Sequence, residues 1–226
     1  MQSMIRLQHV SKVFGSGPSR VAALNGVSFS IAKGEFAVLT GASGAGKTTL
    51  LRMLYSAEIP SDGEIDVAGF DVTALRRSEI PRLRRSIGIV FQDAKLLAGR
   101  TVFENVAFVL RVLGTPRRDI TPKAFAALKA VGLSARAQAL PHQLSQGEAQ
   151  RASLARAIVK SPGLLLADEP TGNLDEDMAG EILGLVKEIW SRGTTVLFAT
   201  HQARLVPLLK RRTLRLEGGR LVKDEG

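Results

Sequence analysis

Three short segments carry residue types that do chemistry at the spacing observed. Gly41-Ala42-Ser43-Gly44-Ala45-Gly46-Lys47-Thr48 fits G-x-x-x-x-G-K-[ST] at every fixed position. Glycines in such a loop let the backbone wrap closely and turn its N–H groups toward the oxygens of a phosphate chain. A helix starting at the loop adds partial positive charge aimed at the same anion. Lys47 then reaches the outer phosphates, and the Thr48 hydroxyl suits a Mg²⁺ that prefers oxygen ligands. The second segment, Leu164-Leu165-Leu166-Ala167-Asp168-Glu169, is an apolar run that delivers two acids at its end. Asp168 is placed to hold the Mg²⁺ shell, and Glu169 to polarise an attacking water as a general base. The third, Leu144-Ser145-Gln146-Gly147-Glu148, puts Ser145 and Glu148 at capping-box spacing. It is read as a second helix start able to bind an anion, with Ser145 and the Gly147 N–H as donors.

The flanking pattern supplies the elements that must position these residues. Phe36–Thr40 is a short apolar strand running into the glycine loop, and Thr48–Leu54 follows it as a helix. Leu164–Ala167 and Thr194–Thr200 are further buried strands, and Ile87–Phe91 is another. Asp175–Trp190 is an amphipathic helix with Ile182, Val186, Ile189 and Trp190 on its apolar face. The opening segments, Met4–Val10 and Val21–Ile31, read as strands, Ile65–Val72 as strand and turn, and Arg212–Val222 as a hairpin about Gly218-Gly219. From Val102 to about Lys160 the pattern is helical, with loops around Gly114–Ile120 and Ala137–Gln143. The expected architecture is α/β, a largely parallel core with a helical insertion.

Composition narrows the classes further. The chain has 226 residues, 31 basic against 21 acidic, for a net charge of +10. A positive surface favours phosphate-bearing partners. With no cysteine, a disulfide framework, a thiolate zinc site and a cysteine nucleophile are excluded. His9, His142 and His201 stand far apart, which argues against a multi-histidine metal site. No stretch approaches the ~20 apolar residues of a membrane span, and the start Met1–Arg6 lacks the apolar run of a signal peptide.

In this order, Gly41–Thr48, Leu144–Glu148 and Leu166–Asp175 resemble the ATP-binding subunits of ABC transporters, over essentially the whole chain. The resemblance implies a P-loop NTPase fold: a RecA-like parallel core, an antiparallel β subdomain and a helical subdomain inserted at about 93–160, all in one domain, 1–226. It implies ATP and Mg²⁺ as ligands. Phe14 matches the aromatic residue that stacks on adenine, and Gly41 to Thr49 match the phosphate-binding residues. Gln92 matches the glutamine that contacts Mg²⁺ and senses the membrane partner, so Thr48, Gln92 and Asp168 form the metal set. His201 matches the histidine at the γ-phosphate, completing a catalytic set of Glu169, His201, Lys47 and Gln92. Gly172-Asn173-Leu174-Asp175 resembles the loop that joins two subunits. The implied assembly is a head-to-tail homodimer, with ATP on Gly41–Thr48 of one subunit and beneath Ser145, Gln146, Gly147 and Glu148 of the other.

One departure stands out. The usual signature is Leu-Ser-Gly-Gly-Gln, and here Gln146 replaces the first glycine and Glu148 the glutamine. Gln146 is expected to crowd the nucleotide or slow dimer closure, giving a working but slow ATPase. Within the family, Leu83–Asp93, Leu96-Leu97 and Glu104–Ala107 resemble the cell-division branch, with lipoprotein-release ATPases as the alternative. That branch implies an integral membrane partner gripping Asp93 to Glu104, at the cytoplasmic face of the bacterial inner membrane. The basic stretch from Arg76-Arg77 to Arg82, Arg84 and Arg85 offers anionic lipid a contact. Nucleic acid is not expected, because Thr49–Gln143 lacks the long heptad pattern of the chromosome ATPases.

Overall fold

The computed structural model describes residues 3–226; Met1 and Gln2, part of the start read above, lie outside the described residues. In chain order the elements are β1 (Ser3–Phe14), β2 (Val21–Ala32), β3 (Phe36–Thr40), α1 (Lys47–Leu54), β4 (Asp62–Val67), β5 (Phe70–Asp71), α2 (Ile80–Ser86), β6 (Ile87–Val90), α3 (Val102–Val112), α4 (Arg117–Ala130), α5 (Gln146–Ile158), β7 (Leu164–Asp168), α6 (Glu176–Ser191), β8 (Thr195–Thr200), α7 (Leu205–Leu209), β9 (Arg212–Glu217) and β10 (Arg220–Glu225). They form two sheets. One is antiparallel, ordered β2-β1-β4-β5; the other is ordered β10-β9-β3-β8-β7-β6. In the second, β9, β3, β8, β7 and β6 are parallel and only β10 folds back antiparallel.

The central strands β3, β8 and β7 are apolar except at their ends because both faces are covered. Phe36, Val38, Leu165, Ala167, Val196 and Phe198 point to one face, into a core completed by α3 to α7. Their neighbours Ala37, Leu39, Leu164, Leu166, Leu197 and Ala199 point to the other, where α1 lies between the two sheets with Leu50, Leu51, Met53 and Leu54 buried. The helix carrying the phosphate loop is therefore clamped on both sides, and the loop is held rigidly at its end.

Most expected elements stand within a residue or two of their expected bounds. Three differ. The loop expected at Gly114–Ile120 is shorter, because α4 already starts at Arg117 after Pro116, whose fixed φ suits a helix entry. Strand β1 continues past Val10 to Phe14 by bulging against β2. Two short helices, α2 and α7, were not marked in the sequence; α2 buries only Leu83, and α7 only Leu205 and Leu209. Among the described residues no helix is long and apolar enough to cross a membrane.

Candidate active site

The chemistry-bearing residues meet at one edge of the parallel sheet. Strands β3, β8 and β7 are adjacent, with Thr40 level with Thr200 and Asp168 level with Ala199. Their carboxyl ends release the Gly41–Gly46 loop, His201 and Glu169 side by side, where open α/β sheets bind ligands. A cleft of about 270 Å³ opens there, lined by Ser43, Gly44, Gly46, Lys47, Thr48, Thr49, Gln92, Glu169 and His201, with Ala23 of β2 on its rim. Gly46 caps α1 at φ +102°, and a Cβ there would sit 2.5 Å from the Ala23 carbonyl oxygen. Only glycine allows both that backbone and that approach.

Lys47 is buried, and its ammonium is fully engaged. Nζ donates to the carbonyl oxygens of Gly41 at 2.8 Å and Ala42 at 3.0 Å, and lies 3.2 Å from Glu169 Oε1. The other Glu169 oxygen accepts from the His201 backbone N–H at 3.1 Å and lies 2.7 Å from His201 Nδ1. Glu169 is thus held from two sides. It also sits at φ +50°, a conformation that costs a non-glycine residue energy and persists because the Glu169 N–H continues the ladder to Ala199 O at 3.0 Å. The role of His201 Nδ1 toward this carboxylate follows the ring's tautomer. One residue earlier, the Thr48 hydroxyl donates to Asp168 Oδ1 at 3.1 Å. Burial pushes the Asp168 carboxyl above its ordinary value; the Thr48 bond opposes this, and the neighbouring Glu169 charge adds to it.

The remaining expected residues are placed less centrally. Gln92 lines the cleft but directs Nε2 to Asn173 Oδ1 at 3.5 Å, tying the loop after β6 to the loop after β7. Gly41, Ala42 and Ala45 line a second cavity of about 830 Å³, which shares Ser43, Gly44 and His201 with the cleft. Phe14 does not line the cleft; it is 38% exposed at the end of β1, with the Lys12 ammonium 4.8 Å from its ring centre. Ser145, Gln146, Gly147 and Glu148 do not line it either. They form the start of α5, where the expected capping box is present: Ser145 Oγ accepts from Glu148 N at 3.1 Å, and Glu148 Oε2 accepts from Ser145 N at 2.8 Å. The hydroxyl is therefore an acceptor within its own chain and keeps its own proton to donate. Gln146 is exposed. Gly147 is buried against α6, where a Cβ would lie 2.7 Å from Met178 Sδ and require the Met178 side chain to shift.

Two buried polar residues, Gln150 and Asn105, and the half-buried Arg156 brace the segment from Phe91 to Thr101, a role the sequence reading gave to none of them. Gln150 Nε2 donates to Phe91 O at 2.8 Å. Arg156 donates to Ala94 O at 2.7 Å and Lys95 O at 2.6 Å. Asn105 accepts from Leu97 N at 2.7 Å and donates to the carbonyl oxygens around Leu97–Thr101. A polar residue on the inward face of a helix was the available signal.

The pattern of the family described as ABC transporter matches residues 24–172. The "Cell division ATP-binding protein FtsE" of Escherichia coli (strain K12) is 49% identical over 218 residues, covering 96% of this chain and 97% of that protein. The protein of the same name in Streptococcus pneumoniae serotype 2 is 45% identical over 223 residues, covering 99% and 96%. Among solved structures, the ATP-binding cassette MJ0796, in a dimeric post-hydrolysis state bound to ADP and Pi, superposes with a TM-score of 0.88 at 32% identity, covering 98% of each chain. The cbiO1 protein from Clostridium perfringens, part of an ABC transporter complex, gives 0.89 at 29% identity, covering 100% of this chain and 89% of that one.

Proposed function

Because the chain belongs to the ABC transporter family of ATP-binding domains, we propose that it is the ATPase of a bacterial cell-division complex of the FtsE kind. It closes head-to-tail as a homodimer on ATP and drives an FtsX-like integral membrane partner that governs cell-wall hydrolysis at the septum. The observation that carries the dimeric ATPase is the split of the site. Lys47, Glu169 and His201 share one cleft, while Ser145–Glu148 do not line it. One chain offers half of an enclosure, and a second chain supplies the other half. The cell-division assignment rests on relatives 45–49% identical along nearly their whole length.

In this reading the chain is one domain, 1–226, with the helices of about 93–160 as an inserted unit. Phe14 stacks on adenine, and the loop from Gly41 to Thr49 holds the phosphates. Mg²⁺ fits the residues present: a hydroxyl at Thr48, an amide at Gln92 and a carboxylate at Asp168 are oxygen donors, and Thr48 and Asp168 already share a hydrogen bond. Among the described residues no group of three or more His, Asp or Glu could hold a metal alone, so the ion would share the nucleotide's phosphates. When bound, it offsets phosphate charge. A phosphate oxygen arriving beside Lys47 takes over the ammonium's bond to Glu169 Oε1. Glu169 is then free to orient and deprotonate water, still gripped by the His201 N–H. His201 donates its outer ring nitrogen to the γ-phosphate.

The membrane partner grips Asp93 to Glu104, the segment braced by Arg156 and Asn105, and holds the dimer at the cytoplasmic face of the inner membrane. Anionic lipid is a further contact for the exposed Arg76, Arg77, Arg82 and Arg85. Arg84 is spent elsewhere, donating to Tyr55 O at 3.0 Å and Ser56 O at 2.9 Å.

Two measurements test this reading. Gln146→Gly is expected to raise steady-state turnover several-fold, since it removes an exposed side chain from the face that closes on the nucleotide; an unchanged or lower rate would show that Gln146 is no brake. Glu169→Gln protein used as bait in detergent-solubilised membranes, with ATP and Mg²⁺, is expected to retain a polytopic FtsX-like protein. Recovery of a lipoprotein-release complex would move the assignment to that branch and leave the ATP chemistry intact.

A further inference from the structure

Glu148 places a carboxylate on the very helix start that must receive an anion. The position is neutral in the Leu-Ser-Gly-Gly-Gln signature, so this chain carries an additional negative charge there. The carboxylate helps the helix itself, because it accepts the Ser145 N–H and lies near the positive helix end. Toward a triphosphate, which carries several negative charges, it is a like charge. The structure holds its counter-charge. Arg136, twelve residues earlier in the chain, sets Nε 3.0 Å from Glu148 Oε1 and Nη2 3.4 Å from Oε2, and donates from Nη2 to Gln143 O at 2.7 Å. Its guanidinium thus ties Gln143 to Glu148 across the turn that starts α5. The carboxylate side chain is only 20% exposed, so solvent screens it weakly when the arginine is gone.

We propose that Arg136 is a positioning residue for nucleotide-driven closure: it neutralises Glu148, so that the start of α5 presents net positive potential to the triphosphate seated on the opposite subunit. The inference rests on the dimeric reading above. It assigns Arg136 no contact with ATP, and it predicts that the need for Arg136 exists only while position 148 is charged. Gln at 148 keeps the cap, since its amide oxygen still accepts the Ser145 N–H, and removes the charge.

The test is a double-mutant cycle in the Glu169→Gln background, reading the dimer dissociation constant by sedimentation at saturating ATP. Arg136→Ala is expected to weaken the dimer about tenfold, because both of its two sites acquire an uncompensated carboxylate. Arg136→Lys is expected to stay within about twofold of the parent, and Glu148→Gln, which leaves the arginine uncompensated, to dimerise at least as tightly as the parent. The decisive protein is Arg136→Ala/Glu148→Gln, expected to return to the parent value although the bond to Gln143 O is still missing. ATP binding to the isolated chain is expected to be unchanged throughout, since Lys47 and its loop are untouched. An Arg136→Ala protein that dimerises like the parent overturns the proposal. So does a double variant as weak as Arg136→Ala alone, which would make Arg136 a structural brace for the turn. A parent that stays monomeric with ATP overturns the dimeric reading itself.

Discussion

Replacing Glu169 by Gln is expected to lower ATP turnover by about 10²–10⁴-fold while leaving ATP binding intact. The substitution keeps size and most contacts: the amide oxygen of Gln can still accept the His201 N–H, now met at 3.1 Å, and the positive φ of the backbone is unaltered. It removes the carboxylate charge, which is what accepts a proton from water. Phosphate binding depends on the Gly41–Gly46 N–H groups, Lys47 and the helix end, none of which is altered. With its ion pair to Glu169 gone, Lys47 has one bond fewer to exchange for phosphate, so ATP affinity is expected to hold or rise. Steady-state phosphate release and equilibrium binding of a fluorescent ATP analogue separate the two effects. Turnover within tenfold of the wild type would remove Glu169 from the base role.

Lys47→Ala is expected to do the opposite and abolish binding. A buried ammonium contributes charge-assisted bonds of about 1.5–3 kcal/mol each, so losing two to phosphate oxygens weakens ATP by at least about a hundredfold. No neighbour replaces it: Ser43, Gly44 and Thr49 offer the cleft only neutral groups. The deletion also leaves Glu169 buried without its ammonium, and the carboxylate then adds repulsion toward the phosphates. Titration calorimetry checks this, with thermal unfolding of the variant to confirm an intact fold. Wild-type ATP affinity in a folded Lys47→Ala protein would mean that the nucleotide does not sit on this loop.

The sequence was legible where one residue pattern has one physical solution. Strands β3 and β7 could be bounded to within a residue because an apolar run of four, buried on both faces, ends just before the glycine loop or the acids emerge. The start of α5 was legible for the same reason, since Ser145 and Glu148 satisfy each other locally. What could not be read depends on which distant segments meet. Nothing in Phe36–Thr40 says that Thr195–Thr200 will lie beside it, between it and Leu164–Asp168. Arg156 looks like any helix cation until α5 packs with its guanidinium on the carbonyl oxygens of Ala94 and Lys95, a separation of more than sixty residues. Glu169 was read as a base, but its grip by Lys47 and His201 depends on three strand ends meeting at one edge. The short helices α2 and α7 bury too few side chains to impose a period.

The central claim is that one chain holds half a site and ATP joins two. Sedimentation of the Glu169→Gln protein with and without ATP tests it most directly. The account predicts a 24.2 kDa species without nucleotide, and with ATP a species of twice that mass carrying two nucleotides. A protein that binds ATP and remains at the mass of one chain at every concentration would contradict it.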